Sequence, residues 1–318
     1  VYGNASYPGH RLDMDEWIPR IDSLGKTADA RLGLAYTHYK TGAYDKALHE
    51  AHAILKLDPR MPEAHLLIGR ILFERGQLEE AKQSLDAALD AERTAAKAGW
   101  LLASIQYEQN RLDEAIETCE QAVLADPGFA PAQLSLGHFL GLQQQYDRAA
   151  KAYRRALKIN PQLAIAHRQL GKIYALRGET EKALGELVAT LRLDPTNATA
   201  HESLGDLFAS LGQREKAVAE YREAVRFQPH ADNPLAKIGD LCREMGHFPE
   251  ALFEYKRALV LRSQNTRAHV GIGKIYMELK QYREAIEEFR TALDIDPNLQ
   301  EAATALRDAE AALQRAED

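Results

Sequence analysis

From residue 28 to residue 299, apolar and polar positions recur on a grid of 34 residues. The grid is plainest in residues 266–299, where Gly273, Tyr276, Ala285, Phe289, Ala292 and Pro297 occupy the eighth, eleventh, twentieth, twenty-fourth, twenty-seventh and thirty-second places. Ala285 is matched by Ala251, Ala217, Ala183, Ala149, Ala115, Ala81 and Ala47, and Gly273 by Gly239, Gly205, Gly171, Gly137, Ala103, Gly69 and Ala35. Pro59, Pro127, Pro161, Pro195, Pro229 and Pro297 share one register, with Arg93 and Ser263 at its two vacant points. A period of this length marks an array of stacked supersecondary units, not a chain with one central core.

Within each block the apolar residues fall three and four apart in two runs, which predicts two amphipathic helices. In residues 164–197 these run from Ile165 to Arg177 and from Glu181 to Leu193, with Gly178 between them in the left-handed conformation that ends a helix. Gly42, Gly76, Gly212 and Gly246 repeat that stop, and Asn110 is the next-best residue for it. Asp-Pro or a variant ends the second helix, while Pro62, Pro131 and Pro234 fall in the first turn of a helix, where a missing amide proton costs little. Small residues at the eighth and twentieth places let two helix axes approach closely. One pair alone leaves an apolar edge on each side, so pairs must stack.

The array consists of eight blocks in residues 28–299. Residues 300–318 continue the phase for one more helix, with Ala303 and Leu306 facing inward and Arg307 at the next small position, which makes this a polar capping helix. Residues 1–27 lie off the grid. Their start is rich in Gly, Pro, Ser and Asn, and Asp13 precedes a short apolar stretch of Trp17, Ile18, Ile21 and Leu24 interrupted by Pro19, a candidate cap for the first block.

The 318 residues would ordinarily suggest two domains, but the period makes them one elongated array. A net charge of −7 gives no general attraction to nucleic acid or anionic lipid, and nucleic acid is not expected as a partner. No run approaches the roughly 18 apolar residues of a membrane span. The chain begins at Val1, which is compatible with a removed signal or membrane anchor, so the expected compartment is cytoplasmic or periplasmic with a tether left open. Cys119 and Cys242, in the third and seventh blocks, are expected to be separate buried thiols.

The period, the small residues at the eighth and twentieth places, aromatics such as Tyr276 and Phe289 and the terminal proline together resemble the tetratricopeptide repeat over residues 28–299. The resemblance implies an all-α, right-handed superhelical solenoid of antiparallel helix pairs, with first helices lining a concave groove. It also implies a non-enzymatic scaffold that docks a peptide or helix of a partner protein. The alternatives are a substrate-recruiting module of a larger enzyme and self-association through the array. Leu32 and Tyr36 stand where the family's carboxylate clamp for chaperone tails would need Lys and Asn. The sixth-place row of Gly33, Leu67, Leu101, Ser135, Gln169, Ser203, Lys237 and Gly271 contains no asparagine ladder.

If first helices line the groove, its first half presents Leu32, Tyr36, Tyr39, Leu66, Arg70, Phe73, Trp100, Tyr107, Leu134 and His138. Its second half presents Arg168, Lys172, Glu202, Asp206, Lys237, Asp240, Arg243, Arg267, Lys274 and Glu278. The aromatics of the first half are expected to anchor an apolar peptide, with Arg168 and Lys172 extending the surface. The remaining charges read as a solvated face. Catalytic, cofactor and metal signatures fail on spacing. Gly25-Lys26-Thr27 lacks the earlier glycine and strand of a phosphate loop, and His49, Glu50 and His52 miss zinc-helix spacing by one residue. His65, His167, His201 and His269 share the fourth place, where packing with a satisfied ring nitrogen is expected. Asn4-Ala5-Ser6 is a glycosylation acceptor only in a secreted eukaryotic protein.

Overall fold

The computed structural model describes residues 28–317. They form seventeen helices, and no strand occurs among the described residues. The leader's cap, the Gly25-Lys26-Thr27 tripeptide and the Asn4 acceptor lie outside them. Two compact units divide at Pro161.

Unit 1 contains four helix pairs: α1 Ala28–Lys40 with α2 Tyr44–Leu57, α3 Pro62–Glu74 with α4 Leu78–Leu89, α5 Glu92–Glu108 with α6 Leu112–Ala125, and α7 Ala130–Leu142 with α8 Tyr146–Ile159. Unit 2 contains α9 Ala164–Leu176 with α10 Thr180–Leu193, α11 Ala198–Ser210 with α12 Arg214–Phe227, α13 Asp232–Glu244 with α14 Phe248–Leu261, and α15 Thr266–Glu278 with α16 Tyr282–Ile295. The last helix, α17 Gln300–Glu317, packs on α16. In unit 1 the first helices of neighbouring pairs touch, α1 with α3, α3 with α5 and α5 with α7, whereas their second helices make no comparable contact. First helices are therefore on the inside of the stack's curve. The same holds in unit 2 for α9 with α11, α13 with α15 and α15 with α17.

The close approach within each pair follows a size rule. A Cβ on Gly69 would lie 2.5 Å from Leu85 Cγ, one on Gly239 would lie 2.6 Å from the Tyr255 ring, and one on Gly273 would lie 2.6 Å from Phe289. The eighth-place glycine thus makes room chiefly for the large residue at the twenty-fourth place. In the two blocks with alanine at the eighth place, Ala35 and Ala103, the twenty-fourth residue is small, Ala51 and Cys119. Fully buried side chains such as Leu85 and Phe289 each contribute roughly 1.5–3 kcal/mol.

Helix ends follow the grid with informative exceptions. Gly42, Gly76, Gly178, Gly212 and Gly246 take positive φ, as does Asn110 at +59°. Gln144 and Lys280 occupy the same turn at φ +60° without being glycine, a strained choice that composition does not announce. At the Asp-Pro ends, Asp58, Asp126, Asp194 and Asp296 are extended or nearly so, and each carboxylate accepts the amide two residues on, at 2.9–3.2 Å. With Arg93 in place of proline, α5 starts early and reaches 17 residues where α3 and α7 have 13. In α17 the fully buried residues are Ala302 and Ala309, while Ala303 and Leu306 are half-buried and Arg307 is exposed. The inward face is therefore one residue away from the one expected.

Candidate protein-binding surfaces on the first helices

In unit 1, four of the expected groove residues converge. Tyr36, Leu66, Arg70 and Trp100 join Leu67, Lys97, Leu101 and Phe129 around a cleft of 300 Å³. Trp100 is oriented by two contacts: its Nε1–H donates to Ser135 Oγ at 2.9 Å, and its ring meets Phe129 edge-on at 5.7 Å. Tyr36 packs on the Ala47, Ala51 and Ile71 cluster, and burial, then the charge of Glu63, push its hydroxyl above the usual range. Arg70 and Lys97 border the apolar floor, and Lys97 has no carboxylate partner among the described residues.

The other candidates in this unit lie outside this cleft. Tyr39 stacks on Tyr44 at 5.9 Å, lies beneath Arg70 and donates to Glu74, and its pKa is pushed up to about 12 by burial and then by that carboxylate. Tyr107 leans on Phe139 at 5.1 Å and on His138 edge-on. Burial lowers the pKa of His138. Leu32 packs against Ile54, Met61 and Ala64, and Phe73 against the core around Leu85 and Leu101. Leu134 is half-buried.

In unit 2 the charges expected to form a solvated face border an open cavity between the first helices. This is the larger cavity, 680 Å³, bordered by Asp206, Lys237, Asp240, Arg243, Arg267 and Lys274 among others. The cause lies at the twenty-fourth place. Tyr221 and Tyr255 pass over Gly205 and Gly239, and their hydroxyls donate to Asp206 Oδ1 at 2.7 Å and Asp240 Oδ1 at 2.6 Å. The anchored carboxylates then hold cations from the next first helix: Lys237 reaches Asp206 Oδ1 at 2.6 Å and Glu202 at 2.8 Å, and Arg267 pairs with Asp240. Burial raises both tyrosine pKa values well above 10, helped at Tyr221 by the hydrogen bond to Asp206 and at Tyr255 by the charge of Asp240. An acid at the ninth place occurs only where the twenty-fourth is Tyr. That fifteen-residue pairing was the available signal for this network.

Arg168 and Lys172, the two candidates named from this half, sit apart from the larger cavity. Lys172 borders a second cleft of 370 Å³ with Leu176, Leu187, Ser203, Asp206, Leu207 and Ser210, and Arg168 donates to Thr199. Glu278 borders neither cavity.

The fourth-place histidines pack as expected. His167, His201 and His269 bond through Nδ1 to Glu186, Glu220 and Glu288 at 2.6–2.7 Å, and His65 Nε2 contacts Pro59 O at 3.0 Å. His49 and His52 are exposed, and Glu50 pairs with Arg31 at 2.6 Å. No group of three His, Cys, Asp or Glu side chains among the described residues is arranged to hold a metal ion. Both cysteines are free and buried, which raises Cys119 to about 12 and Cys242 to about 11. No described helix is long and apolar enough to cross a membrane.

The tetratricopeptide repeat family model matches residues 38–98, 72–137 and 243–309, and related repeat models match 142–178, 171–212 and 198–230. The chain belongs to the tetratricopeptide repeat family, whose repeats are protein-interaction modules. A search of the curated proteins finds no significant match. Among solved structures, the chain is similar to one in the crystal structure of the APC/C hetero-tetramer Cut9-Hcn1, with a TM-score of 0.62 and 20% identity over 93% of this chain and 58% of that one. It thus spans little more than half of that chain. A tetratricopeptide repeat protein from Parabacteroides merdae aligns with a TM-score of 0.61 and 18% identity over 78% of this chain and 98% of that one. At these identities the likeness is one of fold.

Proposed function

We propose that this chain is a non-enzymatic scaffold that docks a peptide or amphipathic helix of a partner protein on the first-helix face of unit 1. The observation that carries the reading is the 300 Å³ cleft in which Trp100, Tyr36 and Leu66 meet beneath Arg70 and Lys97. Large aromatics already fixed by neighbours anchor a ligand at small entropic cost. Trp100 is held by Ser135 and Phe129 before any partner arrives. An apolar side chain of the partner fills the cleft, and an acidic neighbour meets the cations at its edge.

Trp100 also supplies the test, because Trp17 is the chain's only other tryptophan. In a Trp17→Phe background, emission from Trp100 is followed while peptides selected from a random displayed library are added. The reading expects selected sequences to carry a large apolar residue beside an acid, to shift the emission, and to lose affinity by about tenfold or more with Tyr36→Ala. Selected peptides that bind without changing the emission, and bind the variant equally, would remove it.

A further inference from the structure

The cavities of unit 2 leave a surplus of hydrogen-bond donors. Every carboxylate bordering the larger cavity has a donor: Asp206 takes Tyr221 and Lys237, Asp240 takes Tyr255 and Arg267, Glu301 takes Lys274, and Glu244 takes Arg214 of α12 at 3.0 Å. The cations are not all consumed in return. Arg243 and Lys172 have no carboxylate partner among the described residues; the Arg243 guanidinium is hydrogen-bonded to the Tyr255 hydroxyl, while its Nε is buried with no hydrogen-bond acceptor. Neighbouring Arg168 is in the same position, its Nε also buried without a partner and its Nη1 on the Thr199 hydroxyl. Partial burial and then the charge of Arg168 push the Lys172 ammonium below its ordinary range, against the opposing pull of Glu202 and Asp206. The outer nitrogens of a guanidinium without a carboxylate partner remain donors for an incoming oxyanion.

From this arrangement we infer that the first-helix face of unit 2 binds a peptide segment carrying at least two acidic side chains, one carboxylate meeting Arg243 in the larger cavity and another meeting Lys172 in the smaller cleft. Asp206 borders both cavities, so the two cationic points belong to one continuous surface. Two separate points of positive charge exclude a free chain terminus as the sole ligand group, since a terminus brings one carboxylate. The smaller cleft adds a place for an apolar residue between its charges, where Leu176 is 69% exposed beside Leu207. The carboxylates of Asp206 and Asp240 on the same lining oppose a continuous polyphosphate backbone, so a peptide with spaced acidic side chains fits this face better than a nucleic-acid strand. The surface lies entirely in unit 2 and is independent of the Trp100 cleft.

Fluorescence anisotropy on the full chain tests this with short labelled peptides of Glu, Leu, Ser and Gly, amidated at the C terminus. The comparison ligands are the same peptide with Lys for Glu, a neutral Gln version ending in a free carboxylate, and an oligothymidylate. The amidated acidic peptide is expected to bind, with affinity falling as salt rises, and K172Q/R243Q is expected to weaken it by about tenfold or more. Retained binding by R243K, whose charge is conserved, and unchanged melting of K172Q, whose side chain is partly exposed, separate a lost contact from a lost fold. Equal binding of the Lys peptide, tighter binding of the free-carboxylate version or of the oligothymidylate, or full affinity in the folded double variant would each overturn the inference. Failure here leaves the Trp100 cleft untouched, because that cleft is read by a different probe.

Discussion

Units 1 and 2 are built on one grid, yet the side chain at the twenty-fourth place leads their inner faces to different chemistry. Unit 1 has Ala51, Leu85, Cys119 and Tyr153 there, and the first helices around the Trp100 cleft present aromatic and aliphatic side chains. In unit 2, Tyr221 and Tyr255 send hydroxyls through the gap left by glycine and fix an aspartate on the inner face. That aspartate recruits Lys237 or Arg267 from the next helix. In these two blocks a single second-helix residue thus sets both the packing distance and the polarity of the surface opposite.

The largest test of this comparison uses one register position in both units. Gly271 and Gly33 share the sixth place, but a Cβ on Gly271 would overlap the Tyr255 ring whereas one on Gly33 meets nothing within 4 Å. Gly271→Ala is expected to destabilise unit 2 by roughly 1–3 kcal/mol through overpacking. Gly33→Ala should leave stability equal or raised by about 0.5–1 kcal/mol. Urea melts of the two variants decide, and equal effects would break the comparison.

Alkaline pH gives the next effect. Tyr221 and Tyr255 have folded pKa values raised by burial and by their aspartates. A group raised in this way stabilises the fold fully below its unfolded value, near 10 for tyrosine, and that stability is lost as pH rises toward the folded value. Stability should therefore be flat up to about pH 10 and fall above it, and Tyr221→Phe with Tyr255→Phe should flatten the fall. An unchanged alkaline slope in the double variant would separate the hydroxyls from the stability of unit 2.

Much of the fold was legible because stacking imposes the same requirement eight times. Ala285 and Gly273 announce it by recurring, and the Asp-Pro ends announce the turns. The site was less legible, for a physical reason: binding surfaces depend on where blocks differ, and difference has no period. Tyr36, Leu66, Arg70 and Trp100, expected from the grid to line a groove, do border one cleft. Tyr39 and Tyr107 look equally available in sequence, but in the fold Arg70, Tyr44 and Glu74 contact the first, Phe139 and His138 contact the second, and neither tyrosine borders that cleft. Asp240 reads as a solvent charge until Tyr255, fifteen residues on, is seen to lie over Gly239.

Smaller effects sharpen the picture within each unit. Gln144→Gly in unit 1 and Lys280→Gly in unit 2 replace side chains at φ +60° and should each raise stability by about 1 kcal/mol, read from thermal melts. Failure of both would show that the turn relaxes away from the left-handed region. Smallest of all is Cys119, whose thiol, buried and raised to about 12, should resist iodoacetamide at neutral pH until urea opens unit 1. Rapid labelling of Cys119 in the folded chain would contradict its burial.

The central claim is that one repeat grid carries two inner faces of different specificity, and a crossed binding experiment tests it most directly. An apolar-anchored peptide selected on Trp100 emission and the amidated acidic peptide are each titrated against wild type, Tyr36→Ala and K172Q/R243Q. The account predicts that Tyr36→Ala weakens only the first peptide and K172Q/R243Q only the second. Variants that weaken both peptides alike, or neither, would contradict it.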